Sequence, residues 1–256
     1  MSKLIEAFTE GPVGWIVLAR PEKMNAVTPA LLKDMRGALA DHIADGTVRT
    51  IVLTAQGQGF CAGSDLLGIA PGKDTLNFLT DFGHACLELE TSPKPVIAAV
   101  NGVAMAGGLE MLLSCDIVLA AEGVKLGDGH AKFAMIPGAG ASFRLPRRLG
   151  ESMARRLLLT GELLEAEAFL SSGFVTKVVP ADALRAEAQA LAEAIGGTSP
   201  ICLKSYKALL SENRSRNAVD AVRAEAMAIM DYSESFDFKE GLAAFSEKRK
   251  PQFRGV

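Results

Sequence analysis

The order of apolar and polar positions along the chain predicts an α/β protein. Near the N-terminus, apolar positions in residues 3–9 and 13–19 flank Gly11-Pro12, a pattern typical of a β-hairpin. Further apolar runs of strand length occupy residues 50–54, 95–100, 116–121 and 174–179. Stretches with helical spacing separate several of these runs, at residues 28–43 and 75–91. Alternating strands and helices favour a largely parallel sheet.

Two helical features complete this outline. Thr28 followed by Pro29 indicates a helix N-terminus, because threonine accepts a hydrogen bond from a free amide and proline fits the first helical position. From Asp182 to the end the spacing is helical, with breaks at Gly196-Gly197 and Pro200. The chain therefore divides into an α/β core over residues 1–195 and a helical region over residues 196–256.

Two glycine-rich segments carry the first indication of chemistry. Residues 59–66 (GFCAGSDL) and 101–110 (NGVAMAGGLE) each follow an apolar strand-like run, so each predicts a turn whose backbone N–H groups are free. Two such turns side by side would hold one carbonyl oxygen between two donors, which is an oxyanion hole. Residues 67–74 contain Gly68, Pro71 and Gly72 and predict an irregular, mobile loop beside this site.

Composition and charge narrow the function. The net charge of −3 gives no reason to expect nucleic acid or an anionic membrane as a partner. The four cysteines have no CxxC spacing, so we interpret them as buried apolar residues in a reducing compartment, without a metal site. We find no signal peptide and no apolar stretch of membrane-spanning length, and therefore expect a cytoplasmic protein.

Motifs along nearly the whole chain resemble those of the crotonase superfamily, the enoyl-CoA hydratases and isomerases. They are residues 20–26 (RPEKMNA), 59–66, 94–102 (KPVIAAVNG), 114–117 (SCDI), 136–140 (IPGAG) and 247–253 (EKRKPQF). Each motif is short, and their order and spacing make the signal specific. The resemblance implies a spiral of ββα units with C-terminal helices that mediate trimer contacts, often in a hexamer built as a dimer of trimers.

The resemblance also assigns roles to the two turns. It implies that the backbone N–H groups of Ser64 and Gly107 form the oxyanion hole for an acyl-CoA thioester. The coenzyme A then belongs to the substrate, and no other cofactor is expected. Gly107 also opens a predicted helix, and the positive end of the helix dipole favours a negative oxygen.

Two side chains are the candidates for acid–base catalysis. Glu110 occupies the position of one of the two glutamates of typical hydratases. The second glutamate lies seven residues before the proline of IPGAG, and that position here holds His130. Histidine titrates near neutral pH, so catalysis by two groups remains available. Asp128 is the nearest acidic alternative to His130, and we expect no function for His42 and His84 within helices.

Contacts to coenzyme A are implied in less detail. The candidates are two cations that would meet phosphates and four positions that resemble the family's nucleotide pocket. They are Arg20, Lys23, Ala26, Ala62, Asp65 and Leu66. Lys248 and Lys250 are candidates for contact with the nucleotide of a neighbouring subunit.

These assignments favour an enoyl-CoA hydratase, in which water adds to a 2-enoyl-CoA through a thioester enolate. The same oxyanion hole would also serve an enoyl-CoA isomerase, which needs only one proton-transferring group, or a hydrolase of carbon–carbon bonds in which His130 activates water. A third alternative is a protein that binds acyl-CoA without turning it over, because a fold does not fix a function.

Overall fold

The computed structural model describes residues 4–66 and 69–256, and within these ranges it has ten strands and nine α-helices. The strands are β1 (Ile5–Glu10), β2 (Val13–Leu18), β3 (Thr50–Ala55), β4 (Gly59–Cys61), β5 (Val96–Val100), β6 (Val103–Met105), β7 (Ile117–Ala121), β8 (Lys125–Gly127), β9 (Leu163–Glu165) and β10 (Lys177–Val179). The helices are α1 (Pro29–Ala44), α2 (Lys73–Thr91), α3 (Gly107–Ser114), α4 (Ala141–Leu149), α5 (Glu151–Thr160), α6 (Leu184–Gly196), α7 (Pro200–Glu212), α8 (Ala218–Ser233) and α9 (Phe236–Glu247).

The larger sheet has the strand order β1-β2-β3-β5-β7-β10. Strands β1 and β2 form the predicted antiparallel hairpin, and all other neighbours in this sheet are parallel. Strand β5 is buried along its whole length and β3 and β7 along nearly all of theirs, which explains why they are continuous apolar runs rather than alternating ones. The predicted parallel α/β architecture is therefore confirmed.

A second, smaller sheet has the order β4-β6-β8-β9, and the sequence did not predict it. Each of its strands has three residues, which is too short for an alternating pattern to stand out. Strands β4, β6 and β8 are parallel to one another, whereas β9 is antiparallel to β8. Both glycine-rich segments thus contain a short strand before their turn.

The two sheets are linked by a repeated ββα unit. The units are β3-β4-α2, β5-β6-α3 and β7-β8-α4, and each contributes its first strand to the larger sheet and its second to the smaller one. Repetition of this unit winds the chain into a spiral, in agreement with the resemblance described above. The consequence for function is that the C-terminal ends of β4, β6 and β8 lie at one edge.

The helical predictions also hold, with small shifts of boundary. The Thr28 hydroxyl accepts the amide of Leu31 at 3.1 Å and caps α1 as predicted. Helix α2 begins at Lys73, so the predicted loop 67–74 ends earlier, and its residues 67–68 lie outside the described residues. The predicted strand over 174–179 is shorter, because Phe174 is buried against Phe169 in a connecting segment.

The last four helices differ in how they pack. Helix α6 buries Leu184, Ala188 and Ala192 against the larger sheet and ends at Gly196. Helices α7 and α8 have no buried residue. The division of the chain at residues 195 and 196 stays a prediction, although the change in packing falls near it. None of the helices within the described ranges combines the length and hydropathy needed to cross a membrane.

The approach of α3 to β4 leads to a prediction about stability. A Cβ atom added to Gly108 would lie 2.2 Å from the carbonyl oxygen of Cys61, so the Gly108→Ala variant must displace backbone. We expect its free energy of unfolding to fall by roughly 1–3 kcal/mol. Gly37 is the matched control, because it lies in α1 and an added Cβ meets nothing within 4 Å. Gly37→Ala should raise stability by about 0.5–1 kcal/mol.

Urea denaturation followed by circular dichroism measures both variants. A Gly108→Ala protein as stable as the wild type would contradict the close packing of α3 on β4.

Candidate active site

The two glycine-rich turns lie against each other at the edge of the smaller sheet. Parallel pairing of β4 with β6 brings them together, since both turns follow these strands. Gly63 has φ +100°, and a Cβ added there would lie 3.5 Å from the backbone nitrogen of Gly107. Neither the Ser64 nor the Gly107 amide donates a hydrogen bond to another described residue. The two predicted donors are thus adjacent and available.

The turn before Gly107 has a strained backbone. Ala106 has φ 51° and ψ −118°, a combination that residues with side chains rarely adopt. Its amide donates to the carbonyl of Gly127 at 3.2 Å, and its carbonyl accepts from Glu110 at 3.0 Å. These bonds tie the turn to β8 on one side and to α3 on the other. Strain of this kind is concentrated at functional sites, where the surroundings hold it in place.

Glu110 lies in the first turn of α3 and is almost completely buried, with 2% of its surface exposed. Its Oε1 accepts the backbone amides of Ala139 at 2.8 Å and Ala141 at 3.1 Å. One carboxylate oxygen is therefore fixed by the loop that precedes α4. Among the described residues, Oε2 has no hydrogen-bond donor, so it is the oxygen available for proton transfer.

Burial raises the pKa of Glu110, because a charged carboxylate loses its hydration there. The two amides of Ala141 and Ala139 lower the pKa by stabilising the charged form, and the nearby His130 acts in the same direction. Burial outweighs them, with help from the negative charge of Asp128. A carboxyl group with a raised pKa is suited to exchanging protons near neutral pH.

His130 follows β8, at the same edge as Glu110. It opens a short 3-10 helix (His130–Phe133), and its side chain is 12% exposed. Its Nδ1 lies 2.9 Å from Oδ2 of Asp128, and its backbone amide lies 3.2 Å from Oδ1 of the same carboxylate. Both oxygens of Asp128 thus engage His130. The sequence prediction of Asp128 as an alternative acid missed this pairing, which the i, i+2 spacing makes possible.

The pKa of His130 is set by opposing effects. Burial lowers it, but the hydrogen bond to Asp128 and the negative charges of Asp128 and Glu110 outweigh burial, so that the net effect is a raised pKa. The pKa values of Glu110 and His130 therefore depend on each other, as expected for two groups of one site.

A network of charged side chains supports the loop that holds Glu110. The Arg144 Nη1 atom donates to the carbonyl of Ala139 at 2.7 Å, directly next to the peptide that binds Glu110. Arg144 also pairs with Glu90 of α2 at 2.9 Å, and Glu90 in turn pairs with Arg214, just after α7. The C-terminal helices are thereby connected to the acid–base group. Sequence reasoning did not identify Arg144, because nothing in its local pattern distinguishes it from an exposed helical arginine.

The residues predicted to contact coenzyme A lie on two interlocked loops. The amide of Val27 donates to Gly63 at 2.8 Å, and the amide of Asp65 donates to Val27 at 2.8 Å. Arg20 bridges the loops through Asp65 at 2.8 Å and the carbonyl of Ala26 at 3.0 Å. Ala62 and Leu66 are half-buried on the same pair of loops.

The contacts of Arg20 bear on its predicted role. Its guanidinium already binds Asp65, so its charge is partly neutralised and its first task is to hold the two loops together. Lys23 is exposed and forms no ion pair with any described residue. The same is true of Lys248 and Lys250 near the C-terminus. The contacts of all four with coenzyme A stay predictions.

Asn25 has a structural role in this region that the sequence did not reveal. It is fully buried with φ 54°, a left-handed conformation that asparagine tolerates. Its Nδ2 donates to the carbonyls of Gln56 at 2.9 Å and Gly59 at 2.8 Å, and its Oδ1 accepts the amide of Arg20 at 2.8 Å. Asn25 therefore joins the first loop to β4.

His42 lies away from this site. It is buried in α1, where its Nε2 lies 3.1 Å from the carbonyl oxygen of Trp15.

Comparison with known proteins agrees with this geometry. A family model described as enoyl-CoA hydratase/isomerase matches residues 9–256. The chain is 35% identical over 247 residues to a probable enoyl-CoA hydratase of Rhizobium meliloti, covering 96% of each protein. It is 36% identical over 250 residues to a putative enoyl-CoA hydratase of Thermus thermophilus, covering 95% of this chain and 98% of the relative.

Solved structures give the same result. The crystal structure of an enoyl-CoA hydratase from Bacillus anthracis superposes with a TM-score of 0.95 at 32% identity, covering 99% of this chain and 100% of the other. A Geobacillus kaustophilus structure superposes with a TM-score of 0.93 at 34% identity, with 99% of each chain covered. The fold is thus that of the crotonases, and the chain belongs to the enoyl-CoA hydratase/isomerase family. It is an enzyme of a family whose substrates are acyl-CoA thioesters.

The buried state of Glu110 predicts how stability changes with pH. Because its pKa is raised in the folded protein, the unfolded chain releases this proton first as the pH rises above the ordinary value of 4.5, and folding is then disfavoured. Glu110→Gln removes this penalty and keeps an oxygen that accepts both amides. We expect its melting temperature to exceed that of the wild type at pH 8, with a smaller difference near pH 4.5.

Calorimetry at the two pH values tests this expectation. Glu6→Gln is the control, because Glu6 is exposed. A Glu110→Gln protein less stable than the wild type at pH 8 would show that the charged carboxylate stabilises the fold.

Proposed function

We propose that the protein is an enoyl-CoA hydratase, which adds water across the double bond of a 2-enoyl-CoA. The observation that carries this proposal is the arrangement of two free amides, on Ser64 and Gly107, at the sheet edge that also holds Glu110 and His130. Addition of water to a conjugated thioester requires an oxyanion hole next to two proton-transferring groups.

The two amides would bind the thioester carbonyl oxygen. Negative charge develops on this oxygen when the β carbon is attacked, and fixed donors stabilise the enolate more than the ground-state carbonyl. One such donor is typically worth about 10²–10³ in rate. The Gly107 amide has a further advantage, because it is the first of α3 and lies at the positive end of the helix dipole.

Glu110 and His130 would share the proton transfers. Glu110 accepts a proton from water as the hydroxyl oxygen bonds to the β carbon. His130, in its protonated form, gives a proton to the α carbon as the enolate collapses to the thioester. The product has gained one hydroxyl and one hydrogen, and a second proton exchange between water and the two groups restores them. Histidine thus takes the place of the second glutamate of typical hydratases.

The remaining features of the proposal concern the rest of the substrate. The loops that carry Arg20, Lys23, Ala26, Ala62, Asp65 and Leu66 would bind the coenzyme A part, with Lys23 as the exposed cation. The reaction neither gains nor loses electrons, so it needs no redox cofactor. The oxyanion hole supplies the electrophilic stabilisation, and we therefore expect no metal, with coenzyme A present only as part of the substrate.

Turnover of crotonyl-CoA tests the hydratase assignment. The purified protein should reduce the absorbance of the conjugated thioester, with a rate that EDTA leaves unchanged. Glu110→Gln should lower kcat by roughly 10²–10⁴, the usual contribution of a positioned acid or base. Glu6→Gln should retain full activity. Absence of turnover over a panel of chain lengths would contradict simple hydration.

The paired His130 and Asp128 also favour a second candidate, hydrolysis of a carbon–carbon bond next to a thioester. A histidine oriented by a carboxylate activates water in many hydrolases. Isomerisation, in contrast, uses Glu110 alone. In the same assays His130→Ala would therefore spare an isomerase and abolish hydration or hydrolysis. Binding of acyl-CoA without any turnover would favour the non-catalytic alternative.

We further propose that the protein is a cytoplasmic homotrimer or a dimer of trimers. Helices α7 and α8 present apolar side chains that the single chain leaves uncovered, among them Leu210, Val222 and Met230, which are 72%, 65% and 64% exposed. An apolar surface of this kind marks a protein contact. Buried free cysteines such as Cys61, Cys86 and Cys115 are consistent with a reducing compartment.

Light scattering after gel filtration tests the assembly. A trimer or hexamer would have three or six times the 27.0 kDa mass of the chain. Leu210→Glu places a charge on the apolar surface and should reduce the mass towards that of one chain. Lys33→Glu on the exposed face of α1 is the control and should leave the mass unchanged. A wild-type mass of 27.0 kDa would contradict the proposal.

A further inference from the structure

The Asp128 carboxylate is the most deeply buried acidic group near the reacting groups, and no step of the proposed reaction uses it. Asp128 is fully buried, and its side chain is 1% exposed. Its oxygens contact His130 twice, at the ring Nδ1 and at the backbone amide. A buried carboxylate is retained only where its charge is compensated, and here the compensating group is the His130 ring.

We propose that Asp128 is a positioning residue that acts through His130. Its Oδ2 accepts the Nδ1–H of the ring, which fixes the ring orientation, directs Nε2 into the site and keeps the imidazole in the protonated, proton-donating form. This inference rests on the proposed function only in the use that it gives to the proton on Nε2.

The geometry at His130 supports this assignment. With Nδ1 bound to Asp128, the opposite ring nitrogen, Nε2, contacts no other hydrogen-bonding group of the described residues. The second oxygen of Asp128 holds the backbone amide of His130, so the ring and its own peptide are fixed by one carboxylate. An imidazole bound in this way has one defined donor position, and the histidine–carboxylate pairs of hydrolases work by the same principle.

The surrounding charges support the same conclusion. Glu110, on α3, is the other carboxylate whose field acts on His130, and it also favours the protonated ring. Helix α5 packs on the 3-10 helix that His130 opens, but its Arg156 is paired with Glu162. Asp128 thus supplies His130 with a hydrogen bond and with a negative charge that favours the protonated ring. A glutamate at position 130 would need neither, because its proton-donating form is neutral.

Asp128→Asn is the decisive variant. Asparagine can still accept the backbone amide of His130, so the structural role is retained, but it carries no charge and its NH2 group cannot accept Nδ1–H. We expect kcat to fall by roughly 10- to 1,000-fold with KM nearly unchanged, because acyl-CoA contacts are untouched. The basic limb of the pH–rate profile should move to lower pH, because loss of the negative charge makes the imidazolium a stronger acid.

The chain offers a matched control. Asp45 also accepts a backbone amide two residues later, that of Thr47 at 2.8 Å, but it lies at the end of α1. Asp45→Asn should change neither kcat nor the pH profile. An equal fall in activity in both variants would overturn the role of Asp128, because loss of charge at any such turn would then have the same effect.

NMR titration of the imidazole gives a readout that does not require turnover. The chain has three histidines, and His130→Gln identifies the signal of interest. The His130 ring should titrate at lower pH in Asp128→Asn than in the wild type. An unchanged titration would overturn the inference whether or not the protein is a hydratase.

The combined outcomes separate the two levels of the proposal. Loss of hydration in His130→Gln together with an unshifted profile in Asp128→Asn would overturn the role of Asp128 and leave the hydratase standing. Full hydration in His130→Gln would overturn the role of both residues. A shifted titration in a protein that hydrates no enoyl-CoA would support the pair and contradict the hydratase.

Discussion

The close approach of two backbone turns is the constraint on which the site depends. Parallel pairing of β4 and β6 brings Gly63 next to Gly107, and α3 then packs with Gly108 against the carbonyl of Cys61. Side chains at these positions would hold the turns apart, so the glycines are there for the absence of a Cβ atom. The strained Ala106 is held by hydrogen bonds to β8 and α3, and the two free amides are therefore fixed before any substrate arrives.

The electrostatics of the site follow from burial of a small number of charges. Glu110 loses hydration and gains two amide donors, while His130 loses hydration and gains a carboxylate. The pKa of both groups is raised. A raised pKa makes Glu110 a stronger base and keeps His130 protonated, so that it can act as the acid. Where typical hydratases have a second glutamate, this chain has His130, and Asp128 two residues earlier places a carboxylate 2.9 Å from its ring.

The sequence predicted the strands of the larger sheet, the hairpin and the helices other than α4 and α5, because long apolar runs and helical spacing are strong local signals. It missed the smaller sheet, whose strands of three residues leave no periodic pattern. Ser64, Gly107, Glu110 and His130 were located through resemblance, and the structure brings them to one edge. The support from Arg144 and Ala139 was not predictable, because it joins residues through contacts between elements that are distant in sequence.

The connection from Arg214 through Glu90 and Arg144 to Ala139 has a consequence for how this protein can diverge. The helices after residue 196 differ from the core in packing, and they look like an appendage that could be exchanged between relatives. Their first connecting segment nevertheless supplies Arg214, which pairs with Glu90, and Glu90 in turn pairs with the Arg144 that holds the loop next to Glu110. A chimaera made at this boundary with a helical region that lacks a cation at position 214 would lose one ion pair of the network behind Glu110, although its own core sequence were unchanged.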